Sequence, residues 1–219
     1  MKKKLYEARD HLMGGISYAL PVIIGGSLVV AVAKIIGFAG GVSNLDDYAQ
    51  AGGFFHYVWM FQNVGWSAIG LLNLVLSGYI AYSIAGKPAL AAGFVGGVLA
   101  STTNAGFLGA VVTGFFAGWI TNKIKNNVKI KGAAASSVPL IILPLLTIGL
   151  TGILMALILG GPLGWINTSL LNWVTKMSEN NTNVVILAVI LGAMIGFDLG
   201  GPVNKAAWMA GNALFMSGI

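Results

Sequence analysis

Phe197-Asp198-Leu199-Gly200-Gly201-Pro202-Val203-Asn204-Lys205-Ala206-Ala207 sets an aspartate and a lysine around a Gly-Gly-Pro break, inside an apolar stretch of a 219-residue chain. A charged side chain at the centre of a bilayer costs about 2.5–3.5 kcal/mol on insertion scales, so each of these groups needs a partner or a ligand. Gly200, Gly201 and Pro202 should break the helix. Unwound backbone at membrane depth is tolerated only where it is buried in protein or lines a wet cavity, and transporters use such breaks to hold polar substrates. The motif reads as a substrate site in a helical membrane protein.

Composition agrees. Hydrophobic residues make up 57% of the chain and charged residues 8%. The mean hydropathy is +0.85, far from the quarter-charged make-up of a soluble domain. Thirty-two glycines without a collagen-like period fit helices packed through small residues, and the dyad alternation of an outer-membrane barrel is missing. The formal charge of +6 does not indicate nucleic acid, because the basic residues cluster beside apolar segments rather than in a stripe with exposed aromatics. With no cysteine there is no disulfide, thiolate nucleophile or thiolate metal site, and no metal or cofactor is expected.

Working outward along the chain, residues 1–13 form a charged, amphipathic start that suits the cytoplasmic face, followed by a first span from about Gly14 to Phe38. A polar loop, 40–53, carries Asp46 and Asp47 and belongs outside. The second span, about Phe54 to Ile84, has Tyr57, Trp59 and Trp66 near one end and Tyr79 and Tyr82 near the other, as interfacial belts do. After Lys87-Pro88 the apolar run from Ala89 to Ala100 is short for a crossing, and Ser101-Thr102-Thr103-Asn104 interrupts it at an expected outer flank. A glycine-rich run, 105–120, leads to the basic segment 123–131.

The block Val138 to Leu159 contains Pro139 and Pro144, of which the second is expected to kink it. Gly160-Gly161-Pro162 then precedes an amphipathic helix, Leu163 to Met177, expected to lie in the interface, and Val184 to Phe197 forms the next crossing. Of the twelve basic residues, only Lys34, Lys176 and Lys205 fall away from the inner flanks 1–13, 85–88 and 121–137. The positive-inside rule therefore places the N-terminus in the cytoplasm, with about six crossings. The fold class is an all-α, polytopic membrane protein with an interfacial helix and a broken helix at the Gly200–Ala207 motif. The chain reads as a single membrane domain over 1–219, and Ile219 falls inside a further apolar run, so the domain is expected to continue.

Four strings carry a family resemblance: Tyr6-Glu7-Ala8-Arg9-Asp10-His11-Leu12-Met13, Gly78-Tyr79-Ile80-Ala81-Tyr82-Ser83-Ile84-Ala85, Gly106-Phe107-Leu108-Gly109-Ala110 and the Phe197–Ala207 motif. In this order they resemble enzyme IIC, the membrane component of the fructose family of bacterial sugar phosphotransferase systems. The resemblance implies a permease of the bacterial cytoplasmic membrane that binds and translocates a hexose, with fructose expected. It also implies a homodimer, and a partner, enzyme IIB, whose phosphocysteine donates the phosphoryl group. This cysteine-free chain cannot itself contain that donor and holds no independent catalytic residue. A later family motif that supplies a sugar-binding glutamate is not present.

Read as chemistry, a neutral sugar wants groups that both accept and donate hydrogen bonds. Asp198 can accept from two hydroxyls, Asn204 can do both, and Lys205 can donate while balancing the aspartate, with Gly200 and Gly201 opening the backbone. Against this stands an Asp198–Lys205 pair that only neutralises itself while the glycines allow close packing. Asn104 and His11 are secondary candidates: an unwound cavity-lining turn against loop capping for the first, a titrating group against an interfacial one for the second. Two other functions remain open, an ion-coupled transporter or channel using Asp198, and an inactive, truncated permease.

Overall fold

The computed structural model describes residues 2–127, 138–179, 184–197 and 207. These form eight α-helices: α1 Lys2–Ala39, α2 Phe54–Gly70, α3 Leu72–Ala85, α4 Leu90–Thr102, α5 Gly106–Asn127, α6 Leu143–Ile153, α7 Gly160–Glu179 and α8 Val184–Phe197. There is no strand among the described residues. The all-α, polytopic membrane class is as expected. Four stretches are long and apolar enough to cross a bilayer: Lys3–Ala39, Phe54–Ala85, Gly106–Asn127 and Leu140–Ile166.

Helix α1 runs unbroken through Gly14 and Pro21, so the charged start is continuous with the first span rather than a separate surface helix. It lies antiparallel along both α2 and α3, with Gly15 against Leu76 and Ile80, and Gly26 against Gly65 and Ile69. Its buried stripe is made of small residues, Gly15, Ala19, Gly26, Ala33 and Gly37, with Val30 among them. Its other faces expose Leu20, Ile24, Leu28 and Ile35, as suits a helix solvated by lipid. Lipid tails are as apolar as leucine, so such helices associate by close backbone approach rather than by burying apolar surface.

Helix α3 is the centre of the bundle. Leu76, Ile80 and Ala81 are fully buried, and Ser77 with them. Gly93 and Gly97 of α4 pack directly on the backbone of Ser77, Gly78 and Asn73, while Gly114 and Gly118 of α5 pack on Ser77 and Ile84. Any side chain at these four positions would push the helices apart. Ser77 Oγ and Thr113 Oγ1 close the α3–α5 contact at 3.2 Å.

These contacts fix the depth of the α4–α5 turn. Leu71 separates α2 (17 residues) from α3 (14 residues) near the middle of the 32-residue span Phe54–Ala85. Helix α4 starts beside Lys87 and runs back along α3 for 13 residues, about 20 Å, so that Ser101 ends level with Asn73. That is two-thirds of a hydrocarbon thickness of about 30 Å at most. The turn at 103–105, expected at an outer flank, therefore lies level with the middle of the Phe54–Ala85 span, and Gly106–Asn127 beyond it is itself long and apolar enough to cross a bilayer.

Only the Gly160-Gly161-Pro162 stretch differs from the expectation, which placed a break there. Neither Pro144 nor Gly160-Gly161-Pro162 ends the helix; π-helical turns at Val138–Ile142 and Leu154–Leu159 precede them. A proline ring strikes the carbonyl four residues back, here Leu140 and Ile158, and both belong to the widened π turns, which make room for it. The expected interfacial helix at 163–177 consequently starts earlier, at Gly160, and its first turns complete the candidate span Leu140–Ile166.

Candidate functional site

Asp198, Gly200, Gly201, Asn204 and Lys205 lie outside the described residues; α8 leads into them and Ala207 beyond them is buried. Of the candidate residues, the structure describes Asn104 and His11.

Asn104 sits in the mid-span turn. It has a left-handed backbone with φ 57°, and Gly106 follows at φ 56°. Two such residues reverse the chain within the four positions 103–106, and asparagine tolerates the conformation better than other side-chain-bearing residues. Upstream, Thr103 N–H still donates to the Leu99 carbonyl at 3.0 Å, and Asn104 N–H reaches the Ser101 carbonyl at 3.2 Å. Asn104 thus closes the C-terminal end of α4, the loop-capping role weighed for it, and the turn it makes also borders a cleft.

This turn faces the Leu71 break. Between them lies a cleft of about 400 Å³, lined by Trp66, Ile69 and Gly70 of α2, Leu72 and Asn73 of α3, and Ser101, Asn104 and Gly106 around the turn. Asn73 Nδ2 donates to Ser101 Oγ at 2.9 Å, and the Ser101 hydroxyl donates on to the Gly97 carbonyl at 3.3 Å. Asn73 is only 6% exposed, and its Oδ1 has no hydrogen-bond partner among the described residues. An unpaired buried acceptor costs about 1–3 kcal/mol, so its retention asks for a reason. Trp66, expected in an interfacial belt, also lines this cleft. Asn73 and Ser101 carried no local motif to mark them; the signal available was a carboxamide in the middle of an otherwise apolar span.

His11 lies at the opposite end of α3. Its Nδ1 is 2.8 Å from Ser83 Oγ, and one helical stretch further on Tyr18 stacks on Tyr79 with ring centroids 3.9 Å apart. Tyr79 also meets Tyr82 and Phe94 edge-on, at 6.0 and 6.4 Å. His11 thus ties α1 to α3 beside an aromatic cluster, 72 residues from its partner in sequence. The other histidine, His56, bonds the Tyr48 carbonyl at 3.1 Å and stacks on Trp59, closing the 40–53 loop onto α2.

The family described as "Phosphotransferase system, EIIC" matches residues 13–218. The chain belongs to that EIIC family. Among curated proteins, this EIIC chain is 35% identical over 209 residues to the PTS system fructose-specific EIIABC component of Bacillus subtilis (strain 168), covering 95% of the chain and 32% of that protein. It is 40% identical over 204 residues to the PTS system 2-O-alpha-mannosyl-D-glycerate-specific EIIABC component of Escherichia coli (strain K12), covering 92% of the chain and 30% of the relative. A third, the PTS system fructose-specific EIIC component of Haloferax volcanii, is 29% identical over 237 residues, with 100% and 61% covered. The chain thus spans about a third of the first two relatives and under two thirds of the third. No solved structure matches it.

Proposed function

We propose that this EIIC chain is the sugar permease subunit of a phosphoenolpyruvate-dependent phosphotransferase system, carrying a hexose to a cytoplasmic enzyme IIB for phosphorylation. The observation that carries this is the family match over residues 13–218, which takes in the Asp198–Lys205 motif. Fructose is the favoured hexose, because fructose-specific relatives occur in four organisms, at 35%, 39%, 36% and 29% identity. An enzyme IIB partner is supported by relatives whose names join B and C components in one protein.

In this reading the chain is one EIIC-type membrane domain with its N-terminus in the cytoplasm, assembled as a homodimer in the bacterial inner membrane. Asp198, Asn204 and Lys205 bind sugar hydroxyls, and Gly200 and Gly201 let the backbone approach. The phosphoryl group comes from the partner's phosphocysteine: its P–S bond breaks as a P–O bond to the sugar forms, and the sugar hydroxyl gives up its proton. The permease contributes position, which converts an encounter into an effectively intramolecular transfer.

Uptake of labelled fructose by membrane vesicles holding the complete membrane domain tests this. Accumulation as sugar phosphate, only when phosphorylated enzyme IIB and its soluble donors are inside, is the expected result. Uptake of free sugar without them, driven by an ion gradient, would replace the proposal with an ion-coupled transporter.

A further inference from the structure

The buried stripe that runs from α6 into α7 changes its step once. Leu143, Thr147, Thr151 and Met155 follow one another at intervals of four and are buried. The next buried residues on the stripe are Gly160, five positions on, and Gly164 after a further four. The π turn Leu154–Leu159 takes up the extra residue, and there the Gly160 N–H donates to the Met155 carbonyl five residues back. This phase aims both glycines at Thr103, beside the Asn104 turn. A Cβ on Gly160 would lie 2.9 Å from Thr103 Cγ2, and one on Gly164 would run into the Thr103 carbonyl oxygen.

A regular α-helix would instead keep the interval of four, from Met155 to Leu159 and Leu163. Both leucines are already partly buried, against the core cluster that contains Met155 and Ala105. The segment thus carries two neighbouring inward stripes: a glycine pair that lets the backbone seat on Thr103, and a leucine pair whose side chains would fill that space. They differ by one residue of register, about 100° of rotation and 1.5 Å of rise. Pro162 biases the choice, because its ring needs room at the Ile158 carbonyl, which the π turn gives and a closed α turn does not. We infer that the π turn Leu154–Leu159 is a register switch. With the turn open, Gly160 and Gly164 hold α7 on Thr103. With it closed, the extra residue passes along α7 beyond Gly164, Leu159 and Leu163 come inward, and α7 lifts off the turn that borders the cleft. The switch goes beyond the permease reading and stands or falls without it.

Nitroxides at Leu28→Cys and Trp165→Cys, both at exposed positions, test it by pulsed electron spin resonance on the complete membrane domain in nanodiscs, with no sugar or partner added. Two distance populations are expected, several ångströms apart, since the rotation carries a side chain around a helix about 10–12 Å across. Pro162→Ala removes the ring that the π turn accommodates and should shift weight to the leucine register. Gly164→Ala, whose methyl meets the Thr103 carbonyl, should do the same, whereas Gly161→Ala, with nothing within 4 Å, should leave the weights unchanged. Deleting Leu157 from the Pro162→Ala protein restores the interval of four between Met155 and Gly160, and should return a single population at the glycine-register distance. Melting temperatures establish which variants are folded, and the point substitutions decide the matter even where the deletion does not fold. One population in the otherwise unsubstituted protein, or two whose weights ignore both Pro162→Ala and Gly164→Ala, overturns the switch.

Discussion

Gly26 of α1 and Gly65 of α2 meet backbone to backbone: a Cβ on Gly26 would lie 2.9 Å from the Gly65 carbonyl oxygen, and one on Gly65 would lie 2.6 Å from that of Gly26. This contact holds the first span to α2, the N-terminal half of the second. Gly65→Ala should separate the helices and cost about 1–3 kcal/mol, as overpacking does. Gly25→Ala, next to the contact with nothing within 4 Å, should be neutral or slightly stabilising. Thermal unfolding in detergent measures both, and equal melting temperatures would mean that α1 and α2 do not cross here.

The depth of the α4–α5 turn is open to direct measurement. A nitroxide at exposed Thr102 should report a bilayer depth close to that of one at Leu71 and well below one at Tyr57. Matching values for Thr102 and Tyr57 would place the turn at the surface and restore a full crossing for α4.

The side of each flank follows from the basic clusters. In this cysteine-free chain, a cysteine replacing Asp47 should react with an impermeant thiol reagent added outside, and one replacing Lys125 only after permeabilisation. The reverse pattern would invert the topology.

Asp198→Asn keeps the shape of the side chain and removes its charge. If Asp198 accepts from the sugar, affinity in the complete membrane domain should fall by one to two decades, about 1.5–3 kcal/mol, with the melting temperature preserved. If it serves only to neutralise Lys205, the same variant should lose stability while its folded fraction binds sugar normally. Affinity and thermal stability measured on one sample separate the two.

Much of this was legible locally. Long apolar runs, basic flanks and the order of four short strings lie along the chain itself, and each acts through its own segment: a run long enough to span is apolar whatever it packs against. The all-helical membrane class and the EIIC family follow from those alone. The Gly-Gly-Pro stretch at 160–162 misled, because a π turn reaching four residues before Pro162 can absorb the proline and that accommodation leaves no mark in the composition.

What the tertiary structure decided was depth and company. The thirteen residues from Leu90 to Thr102 are compatible with a surface hairpin or a half-span, and only the seating of Gly93 and Gly97 on the α3 backbone brings Ser101 level with Asn73. Those two residues are 28 apart in sequence, and Trp66 and Asn104 border their cleft from two further elements. The amino-acid sequence by itself determined that this chain is a helical membrane protein of the EIIC family, because hydropathy and motif are properties of single segments. The mid-span cleft belongs to the tertiary structure alone, because it exists only where small residues let three helices approach closely enough for two separate breaks to face each other.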